Sequence, residues 1–295
     1  MMITDNMIAM KKHLQLVLMA LLCVMWAQPA LARKTLAEKA GWKLAMQSYT
    51  FHKFTLMEAL DKTQQLGVKY IEVYPGHRIG GRWGDQVFGP QLTEADRREL
   101  RAEAARRGIR IVGTGVFTSD KREDWEQMFL LAHEMKMEYI TCEPPMSLWD
   151  DIEALSGRYK IKVAVHNHPQ PSEYWNPQHL LDAVRGRSAR LGSCADVGHW
   201  NREGMDPVDC LERLRGRVIS LHFKDIMPRE DGDGKQTDTI WGEGCLGVRD
   251  MLLELKDQHF RGYLAIEYET NWDNSVPDIR RCIDYYNKVC NEILR

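Results

Sequence analysis

The chain is predicted to fold as a single (β/α)8 barrel, an α/β architecture, and three observations predict it. Beyond residue 40, eight strand-like apolar runs alternate with helix-like segments over about 260 residues, the size of one such barrel. Several runs end on His, Asp or Glu just before a loop, which is how a barrel delivers functional groups to the C-terminal mouth of its strands. A doubly wound open sheet would want a Gly-rich phosphate turn after its first strand. Here that turn reads His52-Lys53-Phe54-Thr55.

The predicted strands are Lys43 to Phe51, Tyr70 to Tyr74, Ile109 to Phe117, Tyr139 to Glu143, Ile161 to His168, Arg190 to Asp196, Val218 to Asp225 and Tyr263 to Glu267. Thr55 with Glu58 three residues on opens the first helix as a capping box, and Gly67 closes it. Thr93 with Asp96 opens the second, which ends at Gly108. The third runs near Trp125 to Met135, and a short fourth near Trp149 to Leu155. Asn176-Pro177 and Asp206-Pro207 each place a cap residue before a proline at the first helical position. The remaining helices fall near Val248 to Gln258 and Asp278 to Leu294. The long loops from Gly76 to Gln91 and from Met227 to Gly247 are expected to cover substrate. No linker or second domain interrupts the pattern.

Residues 1–32 read as a signal peptide and 33–295 as the barrel. Lys11-Lys12 precede an apolar stretch from Leu14 to Trp26, and Ala30-Leu31-Ala32 offers the small residues that a signal peptidase needs. The stretch is short for a bilayer span, and Cys23 follows Leu22 rather than a small residue, which argues against a lipoprotein. The residues before Met10 look like an upstream start or an extension. The mature protein is therefore expected in the periplasm or secreted, with no membrane partner after cleavage. Export permits disulfides, yet Cys142, Cys194 and Cys210 sit in or beside apolar runs, and Cys282 and Cys290 are too far apart on one helix to bridge. Mostly free, buried thiols are expected.

A net charge of −2 gives no basic stripe for nucleic acid. Arg97-Arg98 and Arg106-Arg107 lie among Glu94, Asp96, Glu99 and Glu103, the pattern of a solvated helix face. The chemistry-bearing residues sit elsewhere. His166 and His168 share one face of the fifth strand, and His222 and Lys224 share one face of the seventh. Asp196 and Glu267 end the sixth and eighth strands after apolar runs. A carboxylate or imidazole is costly to bury there unless paired or metal-bound. For any one of them a hydrogen-bonded rim residue is an equal reading; four on successive strand ends point to one divalent cation.

These segments resemble the xylose isomerase-like (sugar phosphate isomerase/epimerase) barrels, across the whole mature chain. The resemblance is sharpest at Asp196-Val197-Gly198-His199, Leu221-His222-Phe223-Lys224-Asp225 and Ile266-Glu267. It implies one Mn, Mg, Co or Zn ion on Asp196, His222 and Glu267, and a substrate contact from His199. The family's fourth ligand is a fifth-strand Glu in a Glu-Asn-His context, where this sequence has His166-Asn167-His168. In the epimerases two metal-bound Glu residues exchange protons on opposite faces of the substrate. With His166 in place of one, that two-base scheme is not carried over. Two His and two carboxylates still suit a divalent ion with open positions.

Further candidates complete the site. Glu143, before Pro144-Pro145, is a candidate ligand or base, and His168 and Glu267 are alternative bases. Lys224 is a candidate electrophile beside a developing enolate, or else an ion-pair partner of Asp225 or a neighbouring carboxylate. Gln47, Tyr49, His52 and His77 are candidate sugar contacts, and Trp200, Trp241 and Trp272 candidate apolar walls. Exported relatives with a fifth-strand His-Asn-His resemble enzymes acting on 3-keto-sugars, so the expected activity is a lyase on non-phosphorylated 3-keto-glycosides. A sugar isomerase or epimerase is the alternative. A phosphodiesterase would want further His ligands that Gly113-Thr114-Gly115-Val116-Phe117 and Asp231-Gly232-Asp233-Gly234 do not offer. A non-catalytic sugar binder has little need of a four-ligand cation site.

Overall fold

Strands form where β-branched and apolar residues run together between turn signals, and the barrel places eight such runs side by side. The computed structural model describes residues 34–228 and 236–295; the predicted signal peptide and Asp231-Gly232-Asp233-Gly234 lie outside them. The barrel strands are β1 (Trp42–Gln47), β2 (Tyr70–Val73), β3 (Arg110–Phe117), β4 (Tyr139–Cys142), β5 (Lys162–Val165), β6 (Leu191–Asp196), β7 (Val218–Phe223) and β10 (Gly262–Ile266). All pair in parallel in chain order, and β10 closes on β1 from Trp42 opposite Gly262 to Met46 opposite Ile266. A two-stranded antiparallel hairpin, β8 (Asp225–Pro228) with β9 (Gln236–Thr239), rises from the end of β7 inside the predicted long loop.

Helices α1 (Leu36–Ala40), α2 (Leu56–Gln65), α3 (Glu94–Arg106), α4 (Arg122–Glu134), α5 (Trp149–Tyr159), α6 (Pro177–Ala183), α7 (Val197–Arg202), α8 (Pro207–Arg213), α9 (Val248–Asp257) and α10 (Val276–Ile293) alternate with the strands. The caps form as the sequence predicts. Thr55 with Glu58 and Thr93 with Asp96 make reciprocal boxes. Asn176 and Asp206 accept from the backbone N–H groups of Gln178 and Val208. Each such cap is worth about 1 kcal/mol of helix stability. The six cysteines in the described residues are unpaired, five of them buried.

Two apolar layers hold the barrel. A large outer cluster runs between strands and helices, with Leu221 and Phe223 of β7 among it. A smaller inner cluster includes Ala45, Val112, Tyr139, Ala164, Cys194, Tyr263 and Ala265. Its shape depends on Gly113, where a Cβ would stand 2.6 Å from the ring of Tyr139. That missing side chain lets Tyr139 cross the interior and donate its hydroxyl to Glu72 Oε2 at 2.8 Å.

Four expectations are corrected by packing. Strand 1 stops at Gln47, whose side chain accepts from Tyr49 N and turns Ser48–Phe51 into a 3-10 segment. Arg97 is buried: its guanidinium reaches Glu134 Oε2 at 2.5 Å and the Pro90 carbonyl at 2.6 Å, so that part of the helix face is packed rather than solvated. Trp200 and Trp241 are core residues and are not among those lining the cavity at the strand ends. Asp225 does not pair with Lys224; its carboxylate accepts from the backbone N–H groups of Ile226, Gly242, Gly244 and Leu246, pinning the loop before α9.

His77 is also structural. Its ring is fully buried, with Nδ1 3.2 Å from Ser48 Oγ and Nε2 3.1 Å from the Phe54 carbonyl. Burial depresses its pKa from 6.5 to about 4. The native state therefore takes up this proton later than the unfolded chain, so its contribution is complete above pH 6.5 and is lost as pH falls towards 4. Between pH 7.5 and 5 the loss should be about 2 kcal/mol. Urea unfolding of the wild type and His77→Gln at both pH values checks this. An equal pH dependence of both proteins would contradict it.

Candidate active site

The C-terminal ends of the strands gather the polar residues that the sequence singled out. Asn167 joins two of these ends: its amide donates to the Asp196 carbonyl at 2.9 Å and accepts from Asp196 N at 2.8 Å. This explains a buried amide between His166 and His168 and fixes β5 against β6. Asp196 then caps α7, with Oδ1 accepting from His199 N at 2.8 Å. Its other oxygen, Oδ2, is fully buried and has no hydrogen-bond donor. Around Oδ2 stand His166 Nε2 at 3.6 Å, His199 Nε2 at 3.6 Å and Lys224 Nζ at 2.9 Å, the last an ionic contact outside hydrogen-bonding direction.

Carboxylates behind two imidazoles decide which ring nitrogen faces this space. Glu143 Oε1 lies 3.2 Å from His166 Nδ1 and 2.5 Å from His168 Nδ1, and accepts from His168 N at 3.1 Å; Ser172 Oγ donates to Oε2 at 2.8 Å. Burial alone would raise the pKa of Glu143, but the hydrogen bonds from His166 and His168 outweigh it and hold the carboxyl well below the usual range. An ionised carboxylate only accepts, so both Nδ1 atoms carry protons and both Nε2 atoms are turned away from Glu143. Burial opposes a charge on His166, but Asp196 and Glu143 outweigh it and raise its pKa, so Nε2 shares a proton with Asp196 unless a cation replaces it. Glu72 does the same for His222. Its Oε1 lies 3.1 Å from His222 Nε2 and accepts from Gln47 Nε2 at 2.9 Å. His222 Nδ1 has no hydrogen-bond partner and stands 3.3 Å from Glu267 Oε2. Burial opposes a charge on this ring, but Cys194, Glu267 and Glu72 outweigh it and hold its pKa well above normal.

His166, Asp196 and His222 thus bring donor atoms within 4.8 Å of one another, and Glu267 meets this trio through His222. Asp196 and Glu267 already share Lys224, and the ring nitrogens that face them need further positive charge between ring and carboxylate. A proton can serve only one pair at a time, whereas a divalent ion suits all four donors, and ring nitrogens and carboxylates are the donor set of Zn and Mn sites. The four residues fit such an ion. A second group, His166, His168 and His199, is equally close but fits less well. Arg202 Nη1 donates to His199 Nδ1 at 2.9 Å, which places the His199 proton on Nε2 and leaves no lone pair there. Burial, and next the opposing pull of Asp196, act on this ring; the net effect with Lys224, His166 and Arg202 nearby is a pKa well below normal, so His199 is neutral.

Lys224 is fully buried and outside the cavity lining, with Nζ 2.7 Å from Glu267 Oε2, 2.9 Å from Asp196 Oδ2 and 3.0 Å from Glu269 Oε1. Burial opposes its charge, but these three carboxylates outweigh it and hold the ammonium well above its ordinary pKa. Lys224 is thus ion-paired with neighbouring carboxylates and not exposed to a substrate carbonyl. Its stem passes over Gly198, where a Cβ would stand 2.6 Å from Lys224 Cδ. The glycine in Asp-Val-Gly-His is there for this lysine.

A cavity of about 410 Å³ opens above these groups, lined on one side by His166, His168, His199, Glu267 and Glu269 and on the other by Tyr49, Tyr74, Pro75 and Val116. That size lies within the ~300–1,000 Å³ of small-molecule sites. His52 and Trp272 pack against Tyr49 at its rim. Three site residues escaped sequence reasoning. Glu72 was readable as a carboxylate inside the four-residue strand Tyr70-Ile71-Glu72-Val73. Asp238, buried on β9, accepts from Arg202 Nη2 at 3.3 Å and Glu269 N at 2.8 Å, and burial raises its pKa to about 7. Neither Asp238 nor Glu269 carried a local signal.

Residues 60–288 match the xylose isomerase-like TIM barrel family. An uncharacterized protein of Parabacteroides distasonis, known from a crystal structure, is 36% identical with a TM-score of 0.70, covering 84% of this chain and 99% of that one. Inosose dehydratase of Bacillus licheniformis is 23% identical over 164 residues, 50% of this chain and 52% of that protein, so the chain spans about half the length of this relative. D-allulose 3-epimerase from Methylomonas sp. shares the fold, with a TM-score of 0.64 at 10% identity over 84% of this chain and 98% of that one. No helix among the described residues is long and apolar enough to cross a membrane.

Proposed function

Because the chain belongs to the xylose isomerase-like TIM barrel family, we propose that it is a metal-dependent carbohydrate enzyme that removes a proton beside a sugar carbonyl, acting as a lyase on non-phosphorylated 3-keto-glycosides. One observation carries the reading: two imidazoles whose rear nitrogens are tied to Glu143 and Glu72 turn their other nitrogens towards Asp196 and Glu267. A divalent ion held by His166, Asp196, His222 and Glu267 would polarise the substrate carbonyl and lower the cost of removing the adjacent proton.

The remaining chemistry belongs to this chain's own side chains. His168 lines the cavity, and Glu143 engages its Nδ1, so Nε2 is the nitrogen placed to act as the base. It takes the C2 proton. The C–H electrons form the C1=C2 double bond as the C1–O glycosidic bond breaks, and the departing oxygen takes a proton. The His168 imidazolium formed in the first step returns that proton, while neutral His199, whose Nε2–H faces the same cavity and whose ring centroid is 5.3 Å from that of His168, donates a hydrogen bond to the departing oxygen. Glu143 is a positioning residue in this scheme, because its oxygens are already occupied by His166, His168 and Ser172. Lys224 balances the charge of Asp196, Glu267 and Glu269.

A second reading is isomerisation or epimerisation on the same framework. It needs a proton-transfer group on the opposite face of the substrate, and Glu267 and Glu269, which also line the cavity, are the residues that would serve.

The lyase reading predicts a primary isotope effect when C2 carries deuterium and growth of enone absorbance in the ultraviolet. His168→Asn should lower turnover by about 10²–10⁴-fold while the metal content stays. Turnover without an isotope effect or exchange at C2, or an unimpaired His168→Asn, would overturn it. We also propose that the protein is exported, on the strength of Lys11-Lys12, Leu14 to Trp26 and Ala30-Leu31-Ala32. N-terminal sequencing of the protein from its native host should begin near Arg33. A full-length chain recovered from the cytoplasm would contradict export.

A further inference from the structure

The cavity is divided in chemistry as well as in space. Its proton-transfer groups come from the ends of β5, β6 and β10, while β1 to β3 contribute Tyr49, Tyr74, Pro75 and Val116 together with Gln47 and Gly115. Tyr49 is 41% exposed, unusual for an aromatic ring held on several sides. His52 stacks on one of its faces with centroids 4.9 Å apart and an interplanar angle of 20°. Tyr74 and Trp272 meet it edge-on, at 5.4 and 6.0 Å. Trp272 in turn packs edge-on against His52 at 4.2 Å, and Lys53 ties this corner to Asp273 at 2.9 Å. His52 covers one face of Tyr49, and two further rings pack roughly perpendicular to it, yet the residue stays exposed and lines the cavity, so a held ring presents open area there.

We infer that Tyr49, braced by His52, Tyr74 and Trp272, is a platform for the leaving group of the substrate, and that this group carries a ring with an apolar face. The inference rests on the lyase reading, which supplies a leaving group at C1. A single sugar engaged by His168 and His199 leaves the tyrosine side of the cavity without a ligand, whereas a glycoside with a second ring spans both halves. The shared chemistry is a flat apolar face, offered either by an aryl ring or by the C–H face of a second pyranose. Both stack on tyrosine by burying apolar area against a π face. A methyl glycoside has nothing to place there.

The test is binding rather than turnover, so that it stands apart from the lyase reading. The full chain is titrated calorimetrically with unoxidised, unreactive glycosides: methyl β-glucoside, phenyl β-glucoside and cellobiose. Phenyl glucoside, cellobiose or both should bind about five- to tenfold tighter than the methyl glycoside, the size of one aromatic face contact. Whichever is tighter identifies the aryl or glycosyl source. Tyr49→Ala should collapse that ratio towards one, and Tyr49→Phe should keep it, which separates loss of the ring face from loss of the fold. Equal affinities across the wild-type series, or a ratio that survives in Tyr49→Ala, would overturn the platform. A preserved ratio in the wild type, with no enone from the matching 3-keto-glycosides, would retain the platform and refute the lyase.

Discussion

The site depends on carboxylates that stand behind imidazoles. A histidine ring has one proton to place when neutral, and the partner of one nitrogen dictates what the other can do. Glu143 takes the Nδ1 protons of His166 and His168, and Glu72 takes the Nε2 proton of His222. Each ring then turns its other nitrogen to the centre. Arg202 acts in the opposite sense, donating to His199 Nδ1 and so leaving a proton on the inner nitrogen. Three rings become acceptors or ligands and one becomes a donor, without any difference in their chemistry. Such partners orient the groups that hold a metal and raise their basicity.

The barrel makes this arrangement affordable by keeping its carboxylates paired. Glu72 is fully buried but receives Gln47 and Tyr139, and Tyr139 reaches it only because Gly113 leaves room for the ring. Asp196, Glu267 and Glu269 share the buried Lys224, whose stem fits only over Gly198. Unpaired charges at such depth would each be strongly unfavourable. Asp238 shows the limit of that compensation: with Arg202 3.3 Å away and one backbone donor, its pKa still rises to about 7. The groups of the site are thus held by second residues, some from other elements, as Gln47, Glu72, Tyr139 and Asp238 are, and some, as Lys224 and Arg202, from segments that follow the site strands themselves.

Much of this was legible in the sequence, because strand periodicity and helix caps are local. The eight strands, the two capping boxes and both Asn/Asp-Pro starts follow from neighbours within a few residues. The same holds for His166, Asp196, His222 and Glu267, each of which ends an apolar run. What was not legible is set by distant contacts. Glu72 stands 150 positions from His222 in the chain. Trp200 and Trp241 look like sugar walls in sequence and are core because helices cover them. Lys224 looks like an electrophile and is enclosed by carboxylates from β6 and the end of β10. Gly113 and Gly198 carry no signal at all until the side chains that cross them are placed.

Metal affinity tests most directly whether these carboxylate–imidazole pairs hold the proposed cation. The protein, stripped with chelator, is titrated calorimetrically with Mn²⁺ and Zn²⁺ beside Glu72→Gln and Glu143→Gln. The account predicts one ion per wild-type chain and affinity about 10–100-fold weaker in each variant, with the fold retained by circular dichroism. A wild type that binds no ion, or variants that bind it as tightly as the wild type, would contradict the account.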